Sequence, residues 1–406
     1  MNSEKSNNSV RQIIALIILM AVYLVACGKG ASASIVIGKE PLAELPLSKI
    51  GSIVITKNIN QAKDTLTLKR ASKQWVVVNR EGYPADAERI EKFIREFKDM
   101  KVLRELSAGK NQLGRISLID PDAASINSAT RISLQDTKGK VIHTLHLGKE
   151  LSAPVADSQS PQGGGGGFPD RRFVMMDGDR SKITVVDQTF SNANPSPSDW
   201  LNKDFVKVEK PNSIEVVYPG KESTNSWKII KSSDVAEWKL SGQTPKGKIL
   251  DTSGAPTSPF SSPSFNDLAT GTEASQLDKN ATQIKISTFD GFNYSVKIGA
   301  IPSGSDRIIQ FNVTGNLSKE RPRDKNEKPE DKANLDKQWV EEQKALKEKL
   351  ERESLFNNHV YRVSSYTVES ILKKKDELLK NREEETIKPP SNPPAPFLNP
   401  PLNPKK

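Results

Sequence analysis

RISLQDTKGKVIHTLHLG, residues 131–148, consists of two alternating runs around Lys138-Gly139. Ile132 and Leu134 alternate with polar neighbours, as the side chains of a half-buried strand do. A glycine at the crossing point allows a tight connection, so the stretch predicts an antiparallel hairpin. A second stretch, QIKISTFDGFNYSVKIG at 283–299, has the same order of strand, turn glycine, strand and glycine. Ile132 and Gly148 are 16 positions apart, and Ile284 and Gly299 are 15 apart.

The flanks of the two hairpins also correspond. IGSIVITK (50–57), DTLTLKR (64–70) and KQWVVVN (73–79) precede the first hairpin. SIEVVYPG (213–220), SWKIIKSS (226–233) and EWKLSG (237–242) precede the second, with Trp238 opposite Trp75. RRFVMM (171–176) and SKITVVD (181–187) follow the first hairpin. DRIIQFNV (306–313) and HVYRVSSYTVESILKKKDELL (359–379) follow the second. One strong helix is predicted over 83–103. Ile90, Phe93, Ile94, Phe97 and Met100 form a single stripe, with Asp86 as N-cap behind Pro84. SPSDWLNKDF (196–205) predicts a short helix capped by Ser198 or Asp199, and PSFNDLA (263–269) a weaker helical stretch. The pattern predicts an α+β fold with two tandem copies of an antiparallel sheet plus helix domain, residues 45–210 and 211–382.

Each copy carries an insertion. The loop 153–170 of the first contains Gly163–Gly167, without the Gly-Lys-Ser/Thr ending that cradles phosphate. The second carries a charged helical insertion over 317–357. There Leu335, Trp339, Leu346 and Leu350 form a narrow apolar stripe, read either as lying against its own domain or as a contact for a protein partner. Residues 383–406 are a proline-rich tail, expected to be extended and disordered.

The amino terminus suggests a location. After a polar start with Lys5 and Arg11, residues 13–26 are uncharged and apolar, and Cys27 follows. Fourteen helical residues rise only about 21 Å, short of a bilayer core of about 30 Å. The run therefore fits a secretory signal, and Leu24-Val25-Ala26-Cys27 resembles the lipobox of bacterial lipoproteins. An uncleaved anchor and a soluble core helix are the other readings. In the two membrane readings Cys27 is the lipidation site or the end of the anchor, residues 28–44 are a tether, and the body faces the periplasm or exterior.

Little in the sequence points to chemistry. Lys and Arg (60) exceed Asp and Glu (50) but are interspersed with them, so no nucleic-acid partner is expected. One cysteine excludes an internal disulfide and any multi-cysteine metal site. His143 and His146 are three apart on one predicted strand and point to opposite faces. His359 belongs to the other copy. No Gly-x-Ser-x-Gly elbow is present, Asp120-Pro121 reads as a turn, and Trp75, Trp227 and Trp238 read as core. No catalytic, cofactor or metal residue is expected.

Trp75, Tyr83-Pro84-Ala85-Asp86, the Leu-Gly-x-x-x-Leu-Ile-Asp-Pro run at 113–121, and Leu147-Gly148 together resemble the bacterial family of domain of unknown function 4340. The resemblance covers about residues 45–300 and is best in the first copy. It implies a membrane-tethered envelope protein auxiliary to an ABC-type transporter. Cys27, the charged insertion and the proline tail depart from that family's usual form. The expectation is a non-enzymatic, membrane-anchored scaffold in the bacterial envelope. The alternative is an extracytoplasmic solute- or glycan-binding protein using a groove between the copies.

Overall fold

The structure, a computed structural model, describes residues 37–382 apart from 73, 124, 153–167, 279, 301–304 and 324–326. Cys27, Gly163–Gly167 and the proline tail lie outside the described residues. The chain divides into two units between Asn202 and Lys203. Residues 203–210 are tied to the second unit: the Lys203 ammonium reaches the Asn266 carbonyl at 2.7 Å, and the Val208 amide donates to Phe260 at 2.9 Å.

Unit 1 is one antiparallel sheet with a layer on each face. Its strands are β1 (Ile50–Ile59), β2 (Ala62–Ala71), β3 (Gln74–Val77), β4 (Tyr83–Pro84), β5 (Val102–Leu106), β6 (Thr130–Asp136), β7 (Val141–Ser152), β8 (Pro169–Met176) and β9 (Ile183–Val186). Their order across the sheet is β4-β3-β2-β1-β6-β7-β8-β9-β5. The hairpin β6–β7 lies at the centre and turns at Gly139, whose φ is 84°. Helix α1 (Ala87–Asp99) begins where Asp86 accepts the Arg89 amide at 2.9 Å. Its stripe of Ile90, Phe93, Ile94 and Phe97 is buried, with Met100 just beyond. Phe93 packs on Trp200 at 5.2 Å and Phe97 on Phe190 at 5.0 Å between ring centroids.

Another layer of unit 1 is the stretch between β5 and β6. Leu113 and Leu118 from this stretch pack with Phe173, Met175, Ile183 and Val185 of the sheet. Gly148 makes that contact possible. A β-carbon there would collide with the Ile116 carbonyl oxygen and stand 2.9 Å from Leu118 Cγ.

Unit 2 has an eight-stranded antiparallel sheet. Its strands are β10 (Pro211–Val217), β11 (Trp227–Ile230), β12 (Lys239–Leu240), β14 (Asp267–Ala269), β15 (Thr282–Thr288), β16 (Phe292–Ala300), β17 (Asp306–Gly315) and β18 (Val360–Ser364). They are ordered β12-β11-β10-β15-β16-β17-β18-β14. A small ladder pairs β13 (Lys248–Leu250) with β19 (Leu379–Asn381). The helices are α2 (Gly271–Ala274), α3 (Lys332–Ser354) and α4 (Ser365–Glu369).

Three sequence expectations are corrected. PSFNDLA is not helical: it enters the sheet as β14, paired with β18, and buries Phe265, Leu268 and Ala269. Phe205 packs against Phe265, Phe311, Phe356 and Tyr361 at 4.7–5.6 Å. Residues 197–200 form a single 3₁₀ turn with Ser196 in the cap position, so neither Ser198 nor Asp199 caps it. Of the three strand tryptophans only Trp227 is core; Trp75 and Trp238 are half-buried, each with a cation near its ring.

Gly148→Ala is expected to destabilise unit 1 by about 1–3 kcal/mol, the usual cost of overpacking. The check is the urea-unfolding midpoint, and an unchanged midpoint would refute the close approach of the 113–118 segment.

Candidate functional site

A cluster of charged groups and a buried histidine in unit 1 forms where its loop layer crosses β6 and β7. His146 is 5% exposed. It sits opposite Arg131 in the β6–β7 register, so both side chains leave the same face. The Asp120 carboxylate lies 3.0 Å from His146 Nε2, and it accepts from Arg131 at 3.0 and 3.2 Å. Arg131 also donates to Asp122 at 2.6 Å, and Lys63 reaches Asp122 at 3.1 Å. Asn58 completes the latch by donating to the Pro121 carbonyl at 2.6 Å and to Ser128 at 3.2 Å.

Burial alone would raise the Asp120 carboxyl, but the Asp122 amide, His146 and Arg131 outweigh it and hold it below the usual carboxylate range. Hydrogen bonds from Arg131 and Lys63 pull Asp122 down to about 2. The pair Asp120–His146 has the first two elements of a nucleophilic relay. Among the described residues the buried His146 Nδ1 meets no hydrogen-bond partner. These contacts form a latch: four charged groups, an imidazole and the Asn58 amide fasten the 120–122 turn to the sheet.

Unit 2 has a larger latch at the end of α3. Of the charged helical insertion expected over 317–357, 23 residues, Lys332–Ser354, are helical, about 35 Å of helix. Its half-buried positions are Asp336, Trp339, Gln343, Leu346, Lys349, Leu350 and Ser354, and Glu353 is fully buried. Leu335, the remaining residue of the expected partner stripe, is 37% exposed. Leu350 closes on Gly315, where a β-carbon would stand 2.6 Å from Leu350 Cδ2. At the other end of the helix, Arg321 binds Asp336 at 2.7 Å and forks onto Glu327.

Glu353 is 1% exposed. Oε1 accepts the Lys207 amide at 3.0 Å and Oε2 accepts the Tyr294 hydroxyl at 2.8 Å. Lys349, one turn earlier, lies 3.9 Å from Glu353 and 2.8 Å from Glu209. The Lys207 ammonium holds Glu209 from the other side at 2.9 Å. Burial pushes the Glu353 carboxyl up, whereas Lys349 and Lys207 pull Glu209 down to about 2. Tyr294 is raised by burial and by Glu353 beside it. Just past the helix, the Asn357 side chain accepts the Val313 amide at 2.7 Å and donates to its carbonyl at 3.1 Å. It thereby pairs with β17 where the strand partner has ended.

His143 and His146 are held apart, as alternation requires. His143 Nδ1 contacts Asp177 at 3.2 Å, whereas His146 turns to Asp120. Among the described residues no group of three or more His, Cys, Asp or Glu is placed to hold a metal. No helix among them is long and apolar enough to cross a membrane. Neither latch was legible as such in the sequence: Asp120 and His146 are 26 positions apart, and Tyr294 and Glu353 are 59 apart. Comparison with protein-family models, with curated proteins and with solved structures returns no match.

Two variants test the α3 latch. Glu353→Ala leaves the Lys207 amide and the Tyr294 hydroxyl without their buried acceptor, an expected cost of about 1–3 kcal/mol for each orphaned group. Glu353→Gln removes the titration. A carboxyl raised on folding contributes most stability below its ordinary value of 4.5 and loses it as pH rises through the folded value. Glu353→Gln should therefore gain stability relative to the native chain as pH rises above about 4.5 in urea melts. A constant difference would refute the burial of an ionisable Glu353.

Proposed function

We propose that this chain is a non-enzymatic, membrane-anchored protein of the bacterial envelope. It serves as a scaffold or auxiliary subunit of a membrane complex such as an ABC-type transporter, and it is built from two copies of one domain. The reading is carried by what the buried polar groups bind. His146, Arg131, Glu353 and Lys349 all hold loops or helices onto their own sheets. Arg172 does the same, donating to the carbonyls of Gly148 at 2.8 Å and Thr189 at 2.7 Å. These groups maintain shape, which favours a part that presents surfaces over one that turns over a substrate.

Duplication is supported by strand order. Reading from β3 and from β12, the two sheets run in the same sequence of eight strands, ending at β5 and β14. Equivalent positions perform equivalent tasks. Gly148 admits Leu118, and Gly299 admits Leu277 at 3.3 Å. His146 holds Asp120, and Lys297 holds Asp278 at 2.6 Å. Arg70 lies 6.0 Å from the Trp75 ring and Lys231 lies 5.6 Å from that of Trp238. Helix α1 and β4 have no counterpart among the described elements of unit 2.

The envelope location rests on the apolar run 13–26 and on Cys27 at its end, and the transporter link on the family resemblance. The partner is proposed to meet α3, whose outer side carries Lys337, Glu341, Lys344, Lys347, Glu348 and Glu351, all exposed, around Val340.

The test is the intact mass of the mature protein from its native membrane, beside Cys27→Ser. The expected result is a chain beginning at Cys27 with added acyl mass, absent from the variant, which leaves the membrane fraction. A full-length unmodified chain in the cytosol would overturn the reading.

A further inference from the structure

An open cleft of about 530 Å³ in unit 2 lies beside α4. Tyr366, on its rim, is 83% exposed and carries neither a ring contact nor a hydrogen bond. Its ring offers an uncovered aromatic face at the edge of the cleft. Arg307, half-buried at the start of β17, also lines the cleft. No carboxylate or carbonyl among the described residues pairs with its guanidinium. Glu369 and Glu377 supply negative charge to the same cleft, and Val368 and Leu372 supply apolar surface.

The wall opposite is held rigidly from beneath. Tyr218 and Trp227 are 7% and 4% exposed. Each directs its one polar tip at this wall: the Tyr218 hydroxyl donates to the Leu372 carbonyl, and Trp227 Nε1 donates to the Lys373 carbonyl at 2.6 Å. The Lys373 ammonium is turned away to the Gly254 carbonyl at 2.7 Å, and Glu377 accepts the Lys374 amide. The cleft is therefore preformed, which lowers the ordering cost of binding. Its chemistry is a fork-shaped cation without a partner, an exposed ring, a short apolar floor and two carboxylates.

We infer that this cleft binds the carboxyl-terminal end of a short peptide. The free α-carboxylate takes the Arg307 fork, the last apolar side chain lies on Tyr366 and Leu372, and backbone N–H groups face Glu369 and Glu377. A planar fork matches a carboxylate at two points, which a lysine cannot do. This site does not depend on the scaffold reading, and either can fail without the other.

The experiment titrates the full chain with a mixture of tripeptides bearing free carboxyl termini, and with the same mixture amidated. Binding is read by isothermal calorimetry and by amide NMR shifts at residues 365–377. The expected result is saturable binding of the free acids, weakened roughly tenfold or more by amidation and by Arg307→Gln. Arg307→Lys should recover only part of the loss, and Tyr366→Ala should weaken binding several-fold. Tyr366 is so exposed that its variant keeps the fold, and thermal melts check Arg307→Gln. Absence of binding, equal binding of acids and amides, or indifference to both Arg307→Gln and Tyr366→Ala would overturn the inference.

Discussion

The missing β-carbon at Gly148 is the constraint on which unit 1 depends. A sheet can be covered at normal distance by a helix, and α1 covers it in that way through Phe93 and Phe97. A loop cannot, because its backbone has polar groups that need partners and few side chains to bridge the gap. The 113–118 segment solves this by coming into backbone contact with the central hairpin, and any side chain at 148 would push it off. In unit 2 a β-carbon at Gly299 of β16 would likewise stand 3.1 Å from Ile308 Cγ1 and 3.3 Å from Leu277 Cδ1.

Close approach then dictates the electrostatics. A loop pressed onto a sheet buries whatever polar groups lie beneath it, and these groups must be paired. His146 is buried for this reason, and Asp120 is where it is because His146 and Arg131 are there. The same logic governs α3. Its moderate apolar stripe cannot by itself fix 23 residues of charged helix. Glu353, Leu350 and Asn357 attach its carboxyl end to the sheet instead, through a buried carboxylate, a glycine contact and a strand-like pair of hydrogen bonds.

What the sequence made legible follows the range of the interaction involved. The stripe of α1 and its Asp86 cap depend on residues three and four apart, so periodicity alone locates them. The hairpins depend on alternation and a turn glycine, again local. Strands β5 and β14 were not visible, because each is short and exists only by pairing with a distant strand, β9 or β18. PSFNDLA misled for the same reason: its three central apolar residues suit a helix turn, but the partner strand decides. Asp120-Pro121 did read as a turn, yet nothing within the turn indicates that His146 sits beneath it.

The distribution of unmet chemistry is the final step. In both units the charged groups of the two latches are answered by other groups of the same unit, as at Asp120, Arg131, Lys349 and Glu353. Arg307 and Tyr366 depart from that pattern together, at one cleft, over a wall that two buried aromatic side chains hold in place. The Arg307 guanidinium has no partner among the described residues, and Tyr366 keeps its ring exposed at the same cleft. Neither feature helps the fold, and their coincidence is explained if the missing partner arrives from outside. A latch built from the same residue types would have closed on itself, as those at Glu353 and His146 do.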